Sequence, residues 1–247
     1  MRKFLQLYRR EFSLRVWQSW LLGLAALGIQ PMLTGIAGVR HGERFETMYG
    51  RSAAPAAVAI LAALAAGWMV YSVLRDFRGG MDTLLTLPYR REWAYLAKMA
   101  AFGSLLLALF AGLLGGVFAS YGVYLYQAAR FPAAAPWPME NGLLLALCRS
   151  STLRLLFPLE PWGLFSNLLL LAVLAAGTCY AGYLLQAKRV WGLLPLAAAG
   201  LCWTQAFRAR LGDTGAALPE PLWHAGLLTA LVFLILHSLW MIRRADF

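Results

Sequence analysis

Ionisable residues are scarce in this 247-residue chain: Asp, Glu, Lys and Arg make up 13% of it, against roughly 25% in a soluble domain. Acids are scarcer than bases, 11 against 22, which leaves a formal charge of +11. A balance of that sign usually suggests nucleic acid. Here the basic residues are spread over short stretches between apolar runs, so no nucleic-acid partner is expected. Cysteine is limited to Cys148, Cys179 and Cys202, with no Cys-x-x-Cys pair and no histidine at ligand spacing. Those three read as packing residues rather than as a zinc site or a disulfide framework. Catalytic signatures are missing as well: there is no phosphate-cradling GxxxxGK loop, no HExxH helix, no GxSxG elbow and no pair of carboxylates inside an apolar run. The chain is therefore expected to be no enzyme and to hold no metal or cofactor. Any energy for work has to reach it from a partner.

Apolar residues fill the space that charge leaves. They make up 61% of the sequence, and the mean hydropathy is +0.62. This composition predicts an all-α, polytopic membrane protein. A hydrocarbon core of about 30 Å needs ~20 apolar residues in a helix, and six segments approach that length: 17–39, 52–74, 99–126, 162–185, 190–207 and 221–242. No sequence repeat or internal boundary interrupts them, so 1–247 reads as one transmembrane domain. Every charged residue falls between or beyond the six segments, as an insertion cost of about 2.5 to 3.5 kcal/mol per central charge demands. Alternate connections are unequal. The N-terminus, the 75–98 loop, Lys188 with Arg189, and the C-terminus together hold 14 of the 22 basic residues. The positive-inside rule then places both termini in the cytoplasm, with the chain multi-pass in the cell membrane.

Residues 1–16 predict an interfacial amphipathic helix. Phe4, Leu5, Tyr8, Phe12 and Val16 fall near one side, and Arg2, Lys3, Arg9, Arg10 and Arg15 are placed for the phosphate layer of membrane lipid. The following apolar run continues to Val39, too long for a signal-peptide core of about 7–15 residues, so it reads as an uncleaved span. Gly112-x-x-x-Gly116 and Ala63-x-x-x-Gly67 offer close helix approach. Pro31 and Pro195 interrupt the backbone ladders of the first and fifth spans, as kinks that a static bundle tolerates or a transporter uses. His224 and His237 fall on different levels of the last span, and Gln30, Thr204 and Gln205 stand out as polar side chains in apolar surroundings. In the connection that includes Pro132, Pro136 and Pro138, the apolar stretch 142–157 is broken by Arg149 and Arg154, which predicts a surface-lying or half-entering helix that caps one side.

The polar passage between the second and third spans carries the most information. Arg78 to Met99 reads RGGMDTLLTLPYRREWAYLAKM. Asp82 is placed to cap a short helix with Met81, Leu84, Leu85 and Pro88 on one face, Pro88 to end it, and a second helix to start at Tyr89. Gly79-Gly80, Asp82-Thr83, Leu84-Leu85, Leu87-Pro88, Arg90-Arg91 and Lys98 together resemble the ABC-2 type permease family, the membrane subunits of ATP-binding-cassette exporters. The six-span layout with both termini inside and a basic amphipathic N-terminal helix extends the resemblance over the chain.

What the resemblance implies is a transmembrane permease subunit driven by a separate ATPase subunit that docks on the 75–98 loop. Gly80, Met81, Leu84, Leu85, Leu87, Pro88, Arg90, Arg91 and Lys98 would form that contact, with Arg75 and Arg78 adding to its polar rim. ATP and Mg would then sit on the partner ATPase, and a second permease chain, the same or related, would complete the path. The other reading of the same loop is a membrane scaffold or assembly protein that recruits a different cytoplasmic partner.

Overall fold

The computed structural model describes residues 2–40, 43–85, 91–130, 142–187, 193–211 and 219–244, and within these the side chains of 2–3, 77–85, 91, 185–187, 220 and 244 lie outside the description. The described residues are all-α, without a strand. In chain order the helices are α1 (Arg2–Ser13), α2 (Val16–Ala37), α3 (Phe45–Arg51), α4 (Ala54–Leu85), α5 (Arg91–Arg130), α6 (Gly142–Arg149), α7 (Ser151–Leu156), α8 (Pro161–Ala187), α9 (Leu193–Leu211) and α10 (Glu220–Arg244). Five are long and apolar enough to cross a membrane: α2, α4 over Ala54–Asp76, α5 over Glu92–Arg130, α8 over Pro161–Leu184 and α10 over Pro221–Arg243. They mark the chain as a membrane protein. The segment expected to cross at 190–207 corresponds to α9, which starts at Leu193 and runs on to Leu211; with Arg208 and Arg210 in its last turn it is not among the five.

Packing divides the bundle into two halves. In the first, Ala26 of α2, Met48 and Tyr49 of α3, Leu61 and Ala65 of α4, Leu109 and Leu113 of α5, Leu147 of α6 and Leu153 of α7 share one buried core. In the second, Leu170 and Val173 of α8, Ala199 and Ala206 of α9 and Leu227 and Leu234 of α10 share another. A third core joins them through Met69, Val73, Tyr95, Phe102, Cys179 and Ile242. Where α4 meets α8, a Cβ on Gly182 would lie 2.7 Å from Val73 Cβ, so glycine sets that approach.

The Gly112-x-x-x-Gly116 pair is used within the chain, against α2. A Cβ on Gly112 would fall 2.9 Å from Gly23 Cα, and one on Gly116 would fall 2.6 Å from the Ala26 carbonyl oxygen. Absence of both side chains lets the two backbones touch. Ala63 and Gly67 instead face outward on α4, with nothing within 4 Å of a Cβ on Gly67. The two prolines sit in different parts of their helices. α2 continues unbroken through Pro31, and Pro195 sits in the first turn of α9, where its missing N–H would have had no intrahelical acceptor.

Two connections hold structure, of which the sequence suggested only the 142–157 helix. α3 folds inward with Phe45, Met48 and Tyr49 buried, and the Tyr49 hydroxyl donates to Gln30 Oε1 at 2.7 Å. Gln30 Nε2 donates to the Ala26 and Leu113 carbonyls at 2.8 and 3.1 Å, so this buried amide links α2, α3 and α5. Stretch 142–157 is two short helices, broken where the Ser150 hydroxyl accepts from the Leu153 N–H and caps α7. Ala146, Leu147, Leu153 and Phe157 fold it onto the first core.

Candidate functional site

The passage between α4 and α5 is helical for longer than its composition implies. Helix α4 runs from Ala54 to Leu85 without a break, so Asp82 lies inside a long helix and not at the start of a short one. The physical reason is that the neighbours of Asp82 already continue a helix from the span, and a residue within an established helix has no exposed first turn to cap. The 77–85 segment extends α4 past its apolar part by about 13 Å at ~1.5 Å per residue. Gly80, Met81, Leu84 and Leu85 lie on this extension and Arg91 begins α5; their side chains are outside the description. Leu87, Pro88, Arg90 and the expected helix start at Tyr89 are outside the described residues. Arg75 is described and exposed, and Arg78 lies on the extension without a described side chain.

Lys98, the last residue of the sequence motif, is turned into the bundle. Its Nζ donates to Asp76 Oδ2 at 2.6 Å, and the same oxygen receives Arg15 Nη2 at 2.8 Å. Arg15 Nη1 pairs with Glu11 Oε2 at 2.5 Å and with the Glu11 carbonyl at 2.9 Å, while its Nε and Nη2 donate to the Ser72 hydroxyl at 3.2 and 3.0 Å. The Arg15 guanidinium also lies over the Phe102 ring, 5.2 Å from its centroid. Two acids and two bases from α1, α4 and α5, together with the turn before α2, therefore form one balanced cluster. The side chains of Arg15 and Lys98 are only 5% and 8% exposed, so both cations depend on it.

Sequence reading assigned Arg15 to lipid phosphates and did not single out Glu11 or Asp76. A signal was present: Glu11 and Arg15 stand four apart, and so do Ser72 and Asp76, which puts each pair on one helix face. Helix α1 packs on the bundle by one face. Its Leu7 and Glu11 are buried, with α1 packed on α5, the Tyr8 hydroxyl is hydrogen-bonded to Ser104 Oγ at 2.8 Å, and Phe4 meets the Trp93 ring at 5.7 Å. Leu5, Arg9 and Arg10 remain exposed.

Arg243 near the end of α10 bonds Glu92 at 2.6 Å, so α1, the end of α10 and the α4–α5 hairpin gather at one end of the bundle. At the opposite end Arg51 forms a two-pronged pair with Glu43, at 2.8 and 3.0 Å, and donates to the Gly38 carbonyl at 2.8 Å, closing the link from α2 to α4. The Arg51 guanidinium holds the Glu43 carboxyl below its ordinary value. Of the remaining polar candidates, His237 Nδ1 is hydrogen-bonded to the Tyr180 hydroxyl at 2.8 Å, and His224 stacks on Trp223 with ring centroids 3.7 Å apart. Thr204 bonds back to the Leu201 carbonyl. Among the described residues no group of His, Cys, Asp and Glu could hold a metal ion. Comparison with known proteins finds no matching family model, no similar curated protein and no similar solved structure.

Proposed function

We propose that this chain is the non-catalytic membrane subunit of an ABC-2 type transporter, an exporter by its resemblance, with a separate ATPase docking on the α4–α5 hairpin. The observation that carries the reading is the way the hairpin is built. A helix that leaves the apolar zone and continues as one rod transmits displacement of its tip to its base. At that base the Arg15–Asp76–Lys98 cluster binds α4 and α5 to the N-terminal helix, so force on the tip reaches three elements together. In this arrangement Met81, Leu84, Leu85 and Leu87 supply apolar contact beside Gly80 and Pro88, and Arg90 and Arg91 form the rim, while Lys98 acts as a brace. ATP and Mg belong to the partner. A second permease chain, α9 as a sixth crossing, α1 along the inner leaflet and cytoplasmic termini in the cell membrane complete the proposal.

Leu84→Asp and Leu85→Asp test it. A carboxylate at the centre of a desolvated contact typically costs ~2 kcal/mol or more, so the variants should lose more than tenfold in affinity for the ATPase, read by copurification with a membrane-insertion control. Arg44→Ala serves as the comparison at the other end. Normal assembly of both Asp variants with an ATPase would sink the docking claim. Recruitment of some other cytoplasmic protein through the same leucines would favour the scaffold reading.

A further inference from the structure

Helix α9 is short for a membrane crossing. Its apolar stretch from Leu193 to Phe207 covers about 22 Å at ~1.5 Å per residue, against a hydrocarbon core of about 30 Å. Arg210, in its last turn, is drawn inward. Nη1 donates to the Leu155 carbonyl at 2.8 Å and to Asn167 Oδ1 at 2.7 Å; Nη2 donates to the Ser166 hydroxyl and, at 3.4 Å, to the Gly163 carbonyl. Every acceptor is neutral. Burial lowers the Arg210 pKa to about 10, which leaves it cationic at neutral pH. Arg154 lies alongside, with Nη2 donating to the Arg210 carbonyl at 3.0 Å and the side chain otherwise exposed. Among the described residues no carboxylate pairs with either arginine. Among the described residues these two arginines, one of them half-buried and bonded to the other through its backbone carbonyl, thus have no counter-charge, although a buried charge is ordinarily paired.

A separate observation sets the depth of this site. The first turns of α8, which hold Arg210 through Gly163, Ser166 and Asn167, carry Trp162 and Phe165 on the neighbouring face. Both are exposed, and His224 at the start of α10 lies 6.3 Å from each ring. Exposed aromatic rings gathered at the ends of apolar helices mark the headgroup boundary of a bilayer. Leu201, Leu211 and Leu222 are exposed as well and offer apolar surface to acyl chains.

We propose that Arg154 and Arg210 bind the phosphodiester of an anionic phospholipid headgroup, drawn toward the bundle where α9 falls short of the membrane surface. A phosphodiester supplies a negative charge that no described residue gives and accepts the N–H groups that Arg154 leaves unused. The short helix and the aromatic girdle favour a lipid over a soluble anion.

The test uses the full chain, purified with equimolar phosphatidylglycerol and phosphatidylcholine and examined by native mass spectrometry. Retained lipid should be mainly phosphatidylglycerol. Arg154→Gln touches no contact except the Arg210 carbonyl, so it should leave the fold intact, by circular dichroism, and lower retained phosphatidylglycerol about tenfold, the scale of one charge-assisted hydrogen bond. Arg154→Lys should keep most of it, and Arg210→Gln should lose at least as much as Arg154→Gln. Inorganic phosphate in millimolar excess separates the sources: lipid that stays bound supports the headgroup assignment, and displacement identifies a soluble-anion site and overturns it. Equal phosphatidylglycerol retention by the native chain and Arg154→Gln, or no preference between the two lipids, also overturns the proposal.

Discussion

Asp76 holds together groups that would otherwise be stranded. One of its oxygens receives both Arg15 and Lys98, and neither cation is appreciably exposed. Asp76→Asn keeps the shape and removes the charge, leaving Lys98 without a carboxylate and Arg15 with Glu11 alone. Hydrogen bonds to charged groups contribute about 1.5–3 kcal/mol, so we expect a loss of that order, visible as a lower Tm in detergent. An unchanged Tm would show that the cluster is not a brace. Glu43 gives a second prediction, with a defined sign. Its folded pKa lies below the ordinary 4.5 because Arg51 hydrogen-bonds the carboxylate. Its stabilisation is therefore complete above that ordinary value and is lost as pH falls through the depressed one. Glu43→Gln should lower the Tm at neutral pH and flatten its decline on the acid side, measured by thermal unfolding against pH. An acid slope as steep as that of the native chain would remove Glu43 from the account.

At the scale of elements, the α2–α5 contact rests on missing side chains. Gly112→Ala would drive a methyl into the Gly23 backbone, which cannot yield as a flexible side chain does, and we expect a loss of about 1–3 kcal/mol. Gly103→Ala, on the same helix with nothing within 4 Å, should instead be neutral or gain up to about 1 kcal/mol from helix propensity. Opposite signs on one helix separate packing from propensity, and thermal unfolding of the two variants reads them. This contact also shows what sequence can reveal. The long apolar runs of α2, α4, α5, α8 and α10 were legible because length and hydropathy decide them locally. The glycine spacing was visible, but its partner was not, since Gly23 and Gly112 meet only through the fold. Helix α3 escaped notice because seven residues are too few for a periodicity to stand out. The charged cluster escaped because Arg15, Asp76 and Lys98 are distant in sequence and individually resemble solvated flanks of spans. The candidate hairpin was legible in its position; its continuity with α4 depended on helical neighbours overriding a local capping signal.

Helix α1, the end of α10 and the bases of α4 and α5 lie at one end of the bundle, and the connections on that side in the sequence reading hold 14 of the 22 basic residues. Reporter fusions at the N-terminus, near Arg90 and at the C-terminus should accordingly score cytoplasmic, and fusions near Glu46 and Pro136 external. A fusion after Leu211 decides the standing of α9. If α9 crosses, that site is external while the C-terminus is cytoplasmic; if it does not, the two exchange sides and the six-crossing layout fails. The purified chain alone should neither bind nor hydrolyse ATP in a nucleotide-binding assay, and tight binding would overturn its assignment as a non-catalytic subunit. The balanced cluster of Glu11, Arg15, Asp76 and Lys98 has an electrical consequence. Its formal charges cancel, so displacing it as a unit within the membrane field transfers no net charge. A single uncompensated charge moved across the full field would exchange about 2.3 kcal/mol per 100 mV with the membrane potential. The cluster by itself therefore adds no voltage dependence to any displacement that carries its four groups together.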